Sequence, residues 1–119
     1  MIENLFFDME GQIKEIANKV FALLGIINNM QEGDSSHVLG GTYYSSSIFG
    51  VKIKLEQNSY AYDDKYNYMI SIQKDVLCGV EVEAKVIKEV AGIIISLLIS
   101  NLKILVAYEV GEDDLRVYS

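Results

Sequence analysis

Residues 48–56 read IFGVKIKLE and residues 66–73 read YNYMISIQ. In the first segment Val51, Ile53 and Leu55 fall on one side of an extended chain, and Lys52, Lys54 and Glu56 fall on the other. A period of two with one apolar side is the pattern of a strand whose sheet has one wet face. The second segment repeats it: Tyr66, Tyr68, Ile70 and Ile72 alternate with Asn67, Met69, Ser71 and Gln73. The intervening QNSYAYDDK is polar and longer than a minimal turn, so the strands are expected to form an antiparallel hairpin with an extended tip.

A sheet with an apolar face must be covered, and the flanking segments supply helices. Upstream, Ile13, Ile16, Val20, Leu24 and Ile27 recur at three- and four-residue steps, with Lys14, Glu15, Asn18 and Lys19 between them. The spacing predicts a helix over residues 3–28, with Asp8 as a candidate cap, Gly25 weakening the last turn and Asn28-Asn29 as a stop. MQEGDSS, residues 30–36, reads as loop. Residues 37–44 carry a weaker strand pattern, in which Gly40-Gly41 signals a bulge or tight bend. Downstream, residues 80–101 predict a second helix, with Glu81, Lys85 and Glu89 at four-residue spacing. Its second half, VAGIIISLLIS, is apolar on every side and is expected to be buried all round or covered by a partner. The uncharged run between Glu89 and Lys103 holds 13 residues. A membrane-spanning helix needs roughly 18 or more, so a core helix is the reading. Residues 102–110 alternate as a strand, and GEDD turns into a last strand at residues 115–118. The order helix, strands, helix, strands gives an α+β fold, an antiparallel sheet with two main helices packed on it, in a single domain over residues 1–119.

Half of the 119 residues are hydrophobic, enough for a sizeable core and too many for a disordered chain. Seventeen acids against 10 bases leave a formal net charge of −7. Direct nucleic-acid binding needs lysine and arginine to neutralise phosphates, and an anionic membrane surface asks for the same, so both are disfavoured. A basic partner is favoured because opposite fields steer encounter, although acidity also serves plain solubility. The one cysteine, Cys78, cannot form an internal disulfide. The N-terminal MIENLFFDMEGQ has acids where a secretory signal would be basic and then apolar, so a cytoplasmic location is expected.

Catalytic chemistry finds little footing. Nucleophilic hydrolysis of the serine or cysteine kind requires a histidine, and the only one, His37, sits between loop and glycine, where a surface or capping role is commoner. Zinc needs several cysteine or histidine ligands, and one of each cannot close a site. Gly40-Gly41 is too short a signal for phosphate binding, and Asp63-Asp64 lacks the alternating oxygens of a calcium loop. Cys78 before Gly79 stands at a predicted helix start, where a thiolate can be activated; a small side chain in a turn is the plainer reading. Any two of 17 acids can meet in a fold, so an acid–base carboxylate pair carries no information. No enzyme activity, metal or cofactor is expected.

Binding is better represented. Of eight tyrosines, Tyr60, Tyr62, Tyr66, Tyr68 and Tyr43 or Tyr44 belong to or flank the central hairpin, and SYAYDDKYNY combines rings with Asp63 and Asp64 at its tip. Tyrosine offers a rigid face and a hydroxyl at little entropic cost, and neighbouring carboxylates can pair with a partner's cations. For Tyr66 and Tyr68 cross-strand packing is an equal reading; Tyr60, Tyr62, Asp63 and Asp64 lie at the tip and read as contact residues. Glu109, Glu112, Asp113 and Asp114 form a second acidic cluster, for which a solvated turn is the ordinary reading. If the two hairpins lay side by side they would form one acidic, aromatic rim.

The stretch GGTYYSSSIFGVKIKLEQNSYAYDDKYNYMISIQKD, residues 40–75, with the size, acidity and lack of catalytic residues, resembles the immunity proteins of contact-dependent growth inhibition and related polymorphic toxin systems. The likeness covers about a third of the chain, and that group shares no universal motif, so no residue role is carried over by position. It implies a cytoplasmic protein that covers the active site or an exosite of a cognate toxin domain, typically a nuclease and often one that cuts tRNA. The residues' own reading adds Tyr60, Tyr62, Asp63, Asp64, Tyr66, Glu112, Asp113 and Asp114 as the face for a basic partner. Two other readings stay open: an adaptor or oligomeric subunit, including a homodimer, joined through residues 90–100, and a small-molecule binder with tyrosines lining a pocket.

Overall fold

The hairpin expected at residues 48–73 is present and lies within a wider sheet. A computed structural model of the chain describes residues 2–26, 28–112 and 114–119. The elements run β1 (Ile2–Phe7), α1 (Ile13–Leu23), β2 (Gln31–Asp34), β3 (Leu39–Ile48), β4 (Val51–Gln57), β5 (Tyr68–Lys74), α2 (Ala84–Leu102), β6 (Val106–Gly111) and β7 (Asp114–Tyr118). Among the described residues the seven strands form one sheet in the order β2-β3-β4-β5-β1-β6-β7, every neighbouring pair antiparallel. Both helices pack on one face, so the class is α+β.

The N-terminal segment corrects the expected helix over residues 3–28. Leu5, Phe6 and Phe7 are all buried, because β1 is a central strand with cover on both faces. Such a strand loses the alternation that marks a half-wet one and reads like the start of a buried helix. The helix itself is limited to Ile13–Leu23, with Gln12 in the capping position and no side-chain cap; Asp8 plays no such part. It stops at Gly25 (φ 76), where Gly25 N–H donates to Ala22 O and Ile26 N–H donates to Phe21 O, the paired bonds of a Schellman ending. Ile27 lies outside the described residues. Ile16, Ala17, Val20 and Phe21 form the buried stripe.

β2 falls in the segment read as loop. It is a short edge strand, QEGD, with no apolar face, so its only signal is backbone pairing with β3. β3 starts with the register shift expected of Gly40-Gly41 (φ 78 and 82) and runs on through Ser45–Ser47 to Ile48. A two-residue turn at Phe49-Gly50, with φ of 53 and 78, joins it to β4. Both angles are positive, as a type I′ hairpin requires. β4 carries its expected alternation: Val51, Ile53 and Leu55 are buried under the helices, with Lys52, Lys54 and Glu56 half-buried on the other face.

α2 starts at Ala84, leaving Glu81 in the preceding loop, where it pairs with Lys74 at 2.8 Å instead of with Lys85. The helix buries Ile87, Ala91, Ile94, Ile95 and Leu98, but Ile93 is 59 % exposed and Leu97 half-exposed, so the apolar second half is not covered all round. No helix among the described residues is long and apolar enough to cross a membrane.

Candidate functional site

The topology puts β1 between β5 and β6, with the β4–β5 loop at the Phe7 end of β1 and the β6–β7 turn at its Ile2 end. The loop does not stand away from the sheet as a free tip. It folds back over the face opposite the helices, where Phe6, Met69 and Ala107 form a small second core. Phe6, fully buried, meets three tyrosines: Tyr60 in parallel (centroids 6.4 Å, planes 6° apart), Tyr62 edge-on (5.6 Å, 76°) and Tyr66 tilted (6.4 Å, 34°). Aromatic pairs of this kind contribute about 0.5–1.5 kcal/mol each beyond area burial.

Two asparagines hold the loop in that position. Asn58 is 4 % exposed; its Nδ2 donates to Ala61 O at 2.7 Å and Tyr66 O at 2.9 Å, and its Oδ1 accepts the Tyr60 N–H at 3.0 Å. Asn67 clamps the loop to the β1–α1 connection, accepting from Met9 N–H and donating to Met9 O. Tyr62 adopts φ 57 and accepts at its carbonyl from the N–H groups of Lys65 and Tyr66, which turns the chain back into β5.

A cleft of about 770 Å³ lies beside the N-terminal end of β1 and the C-terminal end of β6. The two strands are in register at Leu5–Tyr108 and Phe6–Ala107. The cleft is lined by Tyr60, Ala61 and Tyr62, by residues 108–112, and by Ile2, Glu3 and Lys88. Side chains also join the two strands: Asn4 Nδ2 donates to Glu109 Oε1 at 3.1 Å, and the Tyr108 hydroxyl donates to Glu3 Oε2 at 3.0 Å. Burial, the bond to Glu3 and its negative charge push the Tyr108 hydroxyl up to about 12.

The cleft therefore joins three residues of the expected contact face, Tyr60, Tyr62 and Glu112, with Glu109 of the second acidic cluster. Tyr66 packs beneath them on Phe6. Asp63 and Asp64 are exposed on the outer turn of the loop, and Asp114 is exposed at the start of β7; none of the three lines the cleft. Asp113 lies outside the described residues. Tyr68 belongs to the helix side, where it stacks on Phe7 and donates to Gly11 O. The residues that sequence reasoning missed are Glu3, Phe6, Asn58, Lys88 and Tyr108. Asn58 had a signal, since asparagine followed two residues later by a turn amide is an Asx-turn former. Glu3 and Phe6 had none once residues 3–28 were read as helix.

Elsewhere the chemistry is sparse. No group of three or more His, Cys, Asp or Glu that could hold a metal occurs among the described residues. His37 is exposed in a turn whose backbone bonds to Ser35 Oγ, and Cys78 is exposed in the β5–α2 loop. Asp75, at the end of β5, accepts from the Ser47 hydroxyl, which holds its carboxyl below the usual range. Comparison with protein-family models, curated proteins and solved structures returned no match for the chain.

Proposed function

We propose that this chain is a cytoplasmic immunity protein, which binds a cognate toxin domain of nuclease type and neutralises it by covering its active site or an exosite. The observation that supports this reading is the cleft in which Tyr60, Tyr62 and Tyr108 meet Glu3, Glu109 and Glu112. Nuclease sites are basic because they bind phosphate, and an acidic surface fits the same electrostatic niche. Aromatic side chains with a polar surround are the composition from which tight interfaces draw most of their energy. Asp63, Asp64 and Asp114, exposed around the same loops, extend the negative field and act on the association rate.

The test is growth protection of cells that express the toxin encoded beside this gene, together with stoichiometric co-purification. Reversal of Asp63, Asp64 and Glu112 to lysine is expected to slow association and abolish protection, with circular dichroism unchanged. Protection equal to that of the wild type would remove this face from the proposal, and failure of the wild type to bind the neighbouring toxin would remove the function.

A specific observation favours a second reading, an adaptor or oligomeric subunit. Ile93 and Val86 on the outer side of α2, with Phe49 at the β3–β4 turn, line an apolar groove of about 360 Å³, and Phe49 is 93 % exposed. Sedimentation at rising concentration distinguishes the two, since self-association through this groove would be lost in Ile93→Asp.

A further inference from the structure

We infer that α2 pairs with α2 of a second copy of this chain, the two helices antiparallel and crossing at Ser96, so that Glu89 of each copy meets Lys103 of the other. This pairing rests on the oligomeric reading above and gives it a geometry; it leaves immunity untouched. Ile87, Ala91, Ile94, Ile95 and Leu98 bury one side of the helix against the sheet and α1. At about 100° per residue the opposite side carries Glu89, Gly92, Ser96 and Ser100, all exposed, and ends at Lys103. Along one flank of that side run Val86, Ile93 and Leu97, which also line the apolar groove, and Ile93 is 59 % exposed. A surface helix ordinarily turns a charged face to water. The outer side of α2 instead presents aliphatic and small residues, with one charge near each end.

Charge and symmetry name the occupant. In an antiparallel pair crossing at Ser96, residues equidistant from the crossing face one another. Glu89 and Lys103 each stand seven positions from Ser96, so they meet, and the two-fold axis repeats the pair. Neither has an ion-pair partner in its own chain, since the sole pair among the described residues is Lys74–Glu81. A two-fold axis perpendicular to the helices also sets each flank against the same flank of the other copy. Ile93 of one copy therefore packs on Leu97 of the other, and the exposed isoleucine is covered. A parallel pair would set Glu89 against Glu89, and a crossing at Ile93 would set Glu89 against Leu97; both lose the match.

The crossing point is built for close approach. Glycine weakens a helix interior relative to alanine, and a Cβ on Gly92 would meet nothing within 4 Å in a single copy. Nothing inside the chain calls for a residue without a side chain there. A second helix does, because the separation of packed axes, roughly 8–10 Å, is set by the side chains at the contact. With Gly92 facing Ser100 on both sides of Ser96, the axes reach the short end of that range. Lys85, a turn beyond Glu89, lies where helices inclined by about 20° have begun to separate. Four turns of helix bury on the order of 1,000 Å² in total, the low end for a specific pair, so the dimer is reversible.

The experiment is sedimentation velocity of the intact protein over rising concentration, with charge-exchange variants. The wild type is expected to pass reversibly from monomer to dimer. Glu89→Lys and Lys103→Glu each create two like-charge contacts and are expected to weaken the dimer about tenfold or more. The two changes together exchange the charges and are expected to restore it, which a mere disturbance of the fold would not do. Gly92→Leu, placed in open space in the single copy, is expected to abolish the dimer with circular dichroism unchanged. In a Cys78→Ser background, Ser96→Cys lies on the two-fold axis and is expected to oxidise to a disulfide-linked dimer. A dimer that persists in Gly92→Leu, or charge variants without mutual rescue, would overturn the crossing at Ser96 and leave an oligomer joined elsewhere. A wild type still monomeric at roughly 1 mM, where even weak pairs associate, would overturn the oligomeric reading together with the pairing.

Discussion

Replacing Asn58 by aspartate changes almost no volume and reverses the hydrogen-bonding sense of one buried group. Asn58 donates to the carbonyls of Ala61 and Tyr66 and accepts from Tyr60 N–H. Asn58→Asp keeps the acceptor, removes both donors and points a carboxylate at two carbonyl oxygens in a site 4 % exposed. Two lost bonds at about 1 kcal/mol each, with the desolvation of the new charge and of the orphaned carbonyls, give a destabilisation of about 3–4 kcal/mol at neutral pH. Against the 5–15 kcal/mol typical of a small domain, the variant still folds but unfolds at markedly lower urea. The repulsion lifts the folded-state pKa of the new carboxyl above its unfolded value of about 3.9, so between those values the folded state binds the extra proton. Stability relative to wild type therefore recovers as pH falls from 7 toward 4, where the protonated carboxyl supplies one donor again. Urea denaturation of both proteins at the two pH values reads this, and hydrogen exchange at Tyr60 reads the loop locally. A difference below about 0.5 kcal/mol at pH 7, or a deficit that grows on acidification, would refute the argument that Asn58 holds the loop down.

Ile94→Asp puts an unpaired charge in the helix–sheet core and is expected to abolish soluble folded protein, whereas Ile93→Asp, one position along and mostly exposed, leaves the melting temperature within a few degrees. Equal effects in thermal melts would refute the assignment of α2's two sides. Tyr44 and Tyr108 are both raised to about 12, Tyr44 chiefly by its 2.6 Å bond to Glu32 and Tyr108 chiefly by burial. Their neutral forms are favoured in the fold, so the folded state keeps protons that the unfolded chain releases, and stability falls as pH rises from about 10 to 12. The double variant Tyr44→Phe, Tyr108→Phe is expected to show a flatter alkaline decline in melting temperature, and an unchanged slope would contradict the stated causes.

Local pattern and tertiary placement contributed different parts of this molecule. Where a strand has one wet face, as β4 does, or a helix has an apolar stripe, as α1 and α2 do, periodicity alone marks the element, because solvent enforces the alternation. The α+β class, the central hairpin and the glycine bulge in β3 were legible for that reason. β1 and β2 were not, for opposite causes: β1 is covered on both faces and shows no polar side, while β2 is an edge strand with no apolar side. Residue types drew attention to Tyr60, Tyr62 and Glu112 as chemistry suited to a basic partner. That these lie at one cleft depends on β1 entering the sheet between β5 and β6, a pairing of residues about 65 and 100 positions apart that no local pattern encodes. The same insertion turned the tip tyrosines from a free loop into a packed layer on Phe6, since the second face of a central strand must also be kept from water.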